Sequence, residues 1–363
     1  MSSAKTIAAT IALLSALLAA PASAVPSTTR PGSCVDSALA VSLGPTEPVD
    51  QQVALRLCLP AGATPTTVQL LVHGCLYNGQ YWDYPDPAGT DRYSFVSTAL
   101  RAGYATLTID MIGTGRSSHP ASARTTVDAG VWVIHQVVQA LRGAGPGRGV
   151  PGPRGPTSFA RVIEVSWSFG TFFSWLEVSH YHDVDAAVFT AATHHLAVAV
   201  PLLGDALSLV PASQDPQFSP TLDPGYLTTR PGTRRRIFYD PGPADAAVTA
   251  YDEAHKDLMT DAEVSGFPGA LTARLDIRVP VLLVLGSSDP LFCGPHATDC
   301  SSADAMVAQE RGFLGAAVPA VTGYLLAGSG HAIGLMSNAT TAYAVIQRWA
   351  STVATPDTRH EPT

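Results

Sequence analysis

Short runs of Val, Leu, Ile and Ala recur along the chain, each closed by Gly, Pro, Ser, His or Asp, and longer stretches with helical spacing separate them. Two opening strands are expected at 38–43 and 52–59, with Gly and Pro between them. Further runs at 67–72, 105–109, 162–165, 186–190, 281–285 and 323–326 are rich in Val, Leu and Ile, as strands buried on both faces should be. Helical patterns fall at 93–102, 125–141, 170–178, 302–311 and 340–353. This alternation predicts an α/β fold: a mostly parallel central sheet with helices on both faces.

Two segments interrupt the pattern. Residues 143–156 are almost entirely Gly, Pro, Arg and Ala and read as a surface loop. Residues 196–275 lie between two strands and are far longer than one crossover helix requires, so an inserted cap roofing a pocket is expected there. The core would then be built from 25–195 and 276–355, with a flexible tail at 356–363. No internal repeat is present, which argues against a solenoid.

The composition agrees with a large packed core: 46% of residues are apolar and 14% charged. A net charge of −8 argues against a nucleic-acid partner, and the one dense basic cluster, Arg234-Arg235-Arg236, reads as solvated surface or as partners for local carboxylates. At the N-terminus, Lys5, an apolar stretch from Thr6 to Ala20 and the small-x-small triplet Ala22-Ser23-Ala24 read as a secretory signal cleaved after Ala24. The stretch is short for a bilayer span, so a secreted protein without stable membrane insertion is expected. In an exported chain the five cysteines can form disulfides. Cys293 and Cys300 share one loop, Cys34 and Cys58 flank the opening hairpin, and Cys75 is left free. No finger-like Cys/His spacing suggests zinc, and His180-Tyr181-His182-Asp183 reads as solvated histidines, so neither a metal nor a cofactor is expected.

The chemistry-bearing signal is Ser166-Trp167-Ser168-Phe169-Gly170, directly after a strand and opening a helix. A sharp strand-to-helix turn lifts one side chain above the sheet edge and needs small residues two before and two after it. Ser166 stands where Gly is usual, so this is a variant elbow with Ser168 as nucleophile. His73-Gly74-Cys75-Leu76 ends an earlier strand and offers an oxyanion donor from Cys75 or Leu76, to act with the N–H of Phe169. His73 would brace that loop. Asp289 and His331 follow two later strands in the order Ser, Asp, His, which assigns His331 as general base and Asp289 as the carboxylate that orients it.

With these residues in place the chain resembles the α/β-hydrolase superfamily over roughly residues 60 to 350. The segment 110–117, Asp-Met-Ile-Gly-Thr-Gly-Arg-Ser, is similar to the Asp-x-x-Gly-x-Gly-x-Ser loop after the fourth strand of many members. It lacks the lysine and the spacing of a phosphate loop. Segment 236–241 and the pairs Asp252-Glu253 and Lys256-Asp257 are similar to cap segments of secreted hydrolases of actinobacterial type. The resemblance implies a secreted serine esterase or lipase-like enzyme acting on a small-molecule ester or lactone. Tyr77, Tyr81, Trp82 and Trp167 are candidates for the substrate wall, with core packing as the alternative for each. His194 and His195 read as structural, and Asn338-Ala339-Thr340 is a glycosylation sequon. The cap shows no continuous apolar lid helix of the kind a large lipase uses. The same triad also serves acyl transfer, amide cleavage or haloperoxidase chemistry, and a silent scaffold used for binding is the alternative outside enzymes. Dehalogenase and epoxide-hydrolase chemistry is disfavoured, because it needs Asp where Ser168 stands. The sequence leaves the oligomeric state open.

Overall fold

The computed structural model describes residues 31–144 and 149–354. The expected signal peptide, its cleavage site and the tail at 356–363 lie outside the described residues, as do residues 145–148 of the Gly/Pro-rich loop.

Eight strands form the central sheet: β1 (Gly32–Val41), β2 (Gln51–Pro60), β3 (Thr67–Val72), β4 (Ala105–Ile109), β5 (Arg161–Trp167), β6 (Ala186–Thr190), β7 (Val281–Gly286) and β8 (Val321–Leu326). Their spatial order is 1-2-4-3-5-6-7-8. β2 runs antiparallel to both neighbours and every later pair is parallel. Central strands β3, β4, β6 and β7 are buried at every position, which explains why they are rich in Val, Leu and Ile. β1 starts six residues earlier than the apolar pattern predicts, because its polar residues 33, 36 and 37 pair on a half-exposed edge. Cys34 lies directly opposite Cys58 in the hairpin register and is bonded to it; Cys293 is bonded to Cys300, and Cys75 is free.

Among the described residues, seven helices longer than one turn cover the sheet and its insertion: α1 (Phe95–Arg101), α2 (Val127–Leu141), α3 (Phe169–Tyr181), α4 (Ala246–Ala254), α5 (Asp261–Thr272), α6 (Ala303–Glu310) and α7 (Ala339–Ala354). α2 forms because Thr126 caps it through Ala129 N–H and because Val127, Val131, Ile134, Val138 and Leu141 recur on one buried stripe. In register, Glu164 of β5 aligns with Leu70 and points toward α3, whereas the neighbouring Gln69 points the other way and bonds Gln347 of α7. α3 and α7 therefore lie on opposite faces of the sheet. No helix among the described residues is long and apolar enough to cross a membrane.

Residues between β6 and β7 carry a single helical turn (Leu203–Ala206), a three-stranded sheet from 209–211, 226–229 and 259–260, and α4 and α5. The loop expected at 143–156 contains a short hairpin, Val150–Gly152 with Gly155–Thr157.

Candidate active site

Ser168 stands between β5 and α3 with φ 53° and ψ −125°, a backbone conformation that a residue with a Cβ adopts only when its surroundings impose it. Those surroundings are visible. Ser168 N–H donates to Thr190 O at 2.8 Å. A Cβ on Gly170 would lie 2.3 Å from the His73 carbonyl oxygen, and one on Gly74 would meet the Trp167 ring and the Ser168 Cβ within 2.9 Å. Ser166 is tolerated because its hydroxyl is buried against Thr171 Oγ1 at 3.0 Å. The strained turn is thus packed from the His73 strand end below and from Thr190 beside it.

The elbow presents Ser168 Oγ to His331 Nε2 at 2.7 Å, and His331 Nδ1 meets Asp289 Oδ2 at 2.8 Å. Asp289 and His331 are fully buried and Ser168 is 8% exposed. The other Asp289 oxygen accepts from Leu291 N–H at 2.9 Å, so the carboxylate is held on both sides. This orientation puts the imidazole proton on Nδ1 and leaves Nε2 free to accept from the serine. Phe292 and Phe238 stack near the His331 ring at 5.7 and 5.9 Å, and Trp167 Nε1 donates to the His331 carbonyl. Sequence reading gave neither phenylalanine a place at the site, although Phe238 lies in the cap segment 236–241 that it singled out.

Around the serine, the N–H of Phe169 opens α3, where the helix dipole favours negative charge. Of the two candidates on the facing loop, Leu76 is corrected: its N–H donates to the Leu258 carbonyl at 3.1 Å and is already used. The cause is Leu258, a residue of the insertion that local sequence cannot place beside 76. Cys75 N–H donates to no backbone carbonyl among the described residues and lies against its own thiol. His73 donates from Nδ1 to Gly74 O at 2.7 Å and accepts at Nε2 from Met111 N–H at 2.9 Å, and burial depresses its pKa, so it stays neutral and braces the loop. The Asp110 carboxylate holds the same region by accepting from Gly79 and Arg116 N–H.

For the four aromatic residues, core packing, the alternative to a substrate wall, describes what their rings touch. Tyr81 stacks on Trp167 at 4.0 Å and its hydroxyl accepts from Gly334 N–H. Trp82 packs edge-on against Phe95, and Tyr77 donates to Asp252. All four rings are buried, with their faces already occupied, so they support the elbow from within the core. His194 is likewise internal, stacked between Trp175 and Phe313 and bonded to Glu310. Of the arginine run, Arg234 is fully buried and bidentate to Asp252, at 2.8 and 2.9 Å, while Arg235 and Arg236 are at the surface.

The insertion closes the site. Phe238 reaches His331, and Phe267 of α5 stacks on Phe169 at 5.6 Å. Two cavities, of about 680 and 770 Å³, open near the Gln80–Asp83 loop and near the Cys293–Cys300 loop, and neither is lined by Ser168 or His331.

A model of the Alpha/beta hydrolase family matches residues 69–344. No curated protein matches the sequence significantly. Among solved structures, a lipase in its open form is similar at 16% identity and TM-score 0.56, over 89% of this chain and all of that one. A thermophilic esterase from Thermogutta terrifontis is similar at 13% identity and TM-score 0.55, over 88% and 100%. An epoxide hydrolase from Vigna radiata is similar at 14% identity and TM-score 0.54, over 88% and 98%. At such identities the likeness is one of fold.

Proposed function

The chain belongs to the alpha/beta hydrolase family, and from that premise we propose that it is a secreted serine hydrolase that cleaves a carboxylic ester or lactone through Ser168, His331 and Asp289. The observation that carries the reading is the chain of two short hydrogen bonds, 2.7 and 2.8 Å, ending on a serine held at φ 53°. His331 takes the Ser168 proton as Oγ attacks the carbonyl carbon. The oxyanion that forms is held by the N–H groups of Phe169 and Cys75. The C–O bond to the alcohol breaks as His331 returns the proton to the departing oxygen. Water, deprotonated by His331, then releases the acid from the acyl-enzyme. Asp289 stabilises the imidazolium in both halves without taking the proton. Attack by a carboxylate, as in epoxide opening, has no carboxylate at position 168.

Phe169, Phe172, Phe267 and Phe292 form a buried cluster of rings beside the elbow, so the serine stands in an apolar setting. Two disulfides accord with secretion. A panel of p-nitrophenyl esters and lactones tests the reading: turnover with an initial burst of alcohol supports an acyl-enzyme, and no turnover across the panel argues for acyl transfer or for a scaffold used in binding.

A further inference from the structure

Away from Ser168, β5, α2, α3 and the turn after α3 bring together four residues that no motif links. His135 Nδ1 lies 2.9 Å from Asp183 Oδ2 and 3.8 Å from Glu177 Oε1, and one donor atom from each of the three fits within 4.8 Å of the others. Glu177 is fully buried, and among the described residues neither of its oxygens meets an amide or hydroxyl donor; its polar neighbours are the carboxyls of Glu164 and Asp183. Glu164 of β5 lies against it, also fully buried; burial and the Glu177 charge push the Glu164 carboxyl well above the ordinary carboxylate range, and burial and the Asp183 charge do the same to Glu177. Ionised carboxylates in such a place cost several kcal/mol each unless a cation or a proton compensates them.

The geometry suits a cation. Ligands at the bond lengths of zinc to imidazole and carboxylate, in a tetrahedral arrangement, lie about 3.4 Å apart. The two observed separations, 2.9 and 3.8 Å, straddle that value. The ligand positions are also braced. Gln139 Nε2 donates to Asp183 Oδ2 at 2.8 Å, and the Tyr181 ring stacks on the His135 ring at 3.7 Å. His135 and Asp183 are partly exposed and Glu177 is not, so the group forms a funnel with its mouth at the surface. One imidazole nitrogen with carboxylate oxygens fits a first-row divalent ion, zinc foremost and manganese next. Calcium takes six to eight oxygens, more than this set supplies.

We propose that His135, Glu177 and Asp183 form a site for a divalent first-row metal ion, with Zn²⁺ as the best fit, that ties the C-terminal end of α3 to α2. The ion accepts lone pairs from His135 Nδ1 and from one oxygen of each carboxylate. Any proton displaced from these groups passes to solvent, and no oxidation change is involved. The sequence drew attention to His180 and His182, which stand beside Asp183 in the chain. His182 instead bonds Asp276 O, and the histidine that faces Asp183 comes from α2.

The test uses full-length protein with any affinity tag removed and metals stripped by chelator dialysis. Zinc is titrated by calorimetry, and melting is followed with Zn²⁺, Mn²⁺ and Ca²⁺ on the wild type, Glu177→Gln and His135→Asn. The site predicts one tightly bound Zn²⁺ per chain and a rise in melting temperature of about 3 °C or more at a hundredfold excess over Kd, with a smaller rise for Mn²⁺ and none for Ca²⁺. Both effects must vanish in the variants. Absence of zinc binding by the wild type overturns the proposal, and so does binding that survives in the variants, which would assign it to surface histidines. Should Glu177→Gln fail to fold, the half-exposed His135→Asn decides alone.

Discussion

The guanidinium of Arg234 donates from Nη1 to the carbonyl oxygen of Leu76 at 3.1 Å, inside the core. One hydrogen bond thus joins the insertion to the loop that carries the Cys75 N–H. Asp257 N–H donates to the same carbonyl at 3.0 Å, and Leu258 O accepts from Leu76 N–H, so the residue is clamped from both sides in a left-handed conformation at φ 65°. Arg234 is in turn fixed by Asp252 and lies over the Tyr77 ring at 4.1 Å. The insertion therefore does more than cover the serine. It holds the shape of the loop proposed to supply an oxyanion donor.

Replacing Arg234 by Met strips the buried Asp252 carboxylate of its partner. The expected cost is about 3–5 kcal/mol in urea unfolding, with most of it regained in the double variant Arg234→Met, Asp252→Leu. Because Leu76 O loses one of its two donors, kcat should fall in both variants even where the double variant is stable.

The two disulfides should separate stability from turnover. The Cys34–Cys58 bridge closes a loop of 24 residues and its removal is expected to cost about 3.5 kcal/mol, with kcat unchanged. The Cys293–Cys300 bridge closes only 7 residues, for about 2.5 kcal/mol. Its loop, however, starts at the Asp289 carbonyl, which accepts from Cys293 N–H, and carries Phe292 against His331. Cys293→Ser with Cys300→Ser should therefore lower kcat as well. Thermal melts and steady-state kinetics on both double variants check the contrast.

Burial lifts the Glu263 carboxyl to about 7, although Thr260 donates to it in the capping box of α5. A carboxyl whose folded pKa lies above its unfolded value binds its proton more tightly when folded. Stability from this group is therefore greatest below the unfolded pKa near 4.5 and falls as pH rises to about 7. Glu263→Gln keeps the cap and removes the titration. It should be nearly neutral at pH 4.5 and stabilising by roughly 3 kcal/mol at pH 8, as an upper figure. Equal effects at both pH values in denaturant melts would count against a buried, titrating Glu263.

At the elbow, Gly170→Ala drives a Cβ to 2.3 Å from a backbone oxygen that the β3 strand cannot move, so a loss of about 1–3 kcal/mol or failure to fold is expected. Ser166→Gly removes only one hydroxyl from a pair with Thr171 and should cost about 1 kcal/mol or less. Parallel thermal melts of the two variants decide whether the turn is limited by space at 170.

The strand ends were legible because their chemistry is local. Ser168, Asp289 and His331 each stand within five residues of the end of an apolar run, and the small residues a tight turn needs flank the serine. Helix α3, by contrast, runs three residues past the predicted end, since buried Ser179, exposed His180 and partly buried Tyr181 do not extend the apolar spacing. The role of Leu76 depends on Leu258, and that of Arg234 on Asp252, partners supplied by how the insertion folds. The aromatic residues 77, 81, 82 and 167 read equally as wall or core from sequence, because a ring's neighbours and not its identity decide which face meets solvent. Glu164 and Glu177 gave no signal at all: a lone Glu in an apolar strand and another in a helix meet only when α3 lies down on the sheet.

The central claim is that Ser168 is an activated nucleophile, and intact mass spectrometry after exposure to a small fluorophosphonate tests it most directly. The account predicts one covalent adduct on the wild-type protein and none on Ser168→Ala. Folded wild-type protein that takes up no adduct, or an adduct that persists in Ser168→Ala, would contradict it.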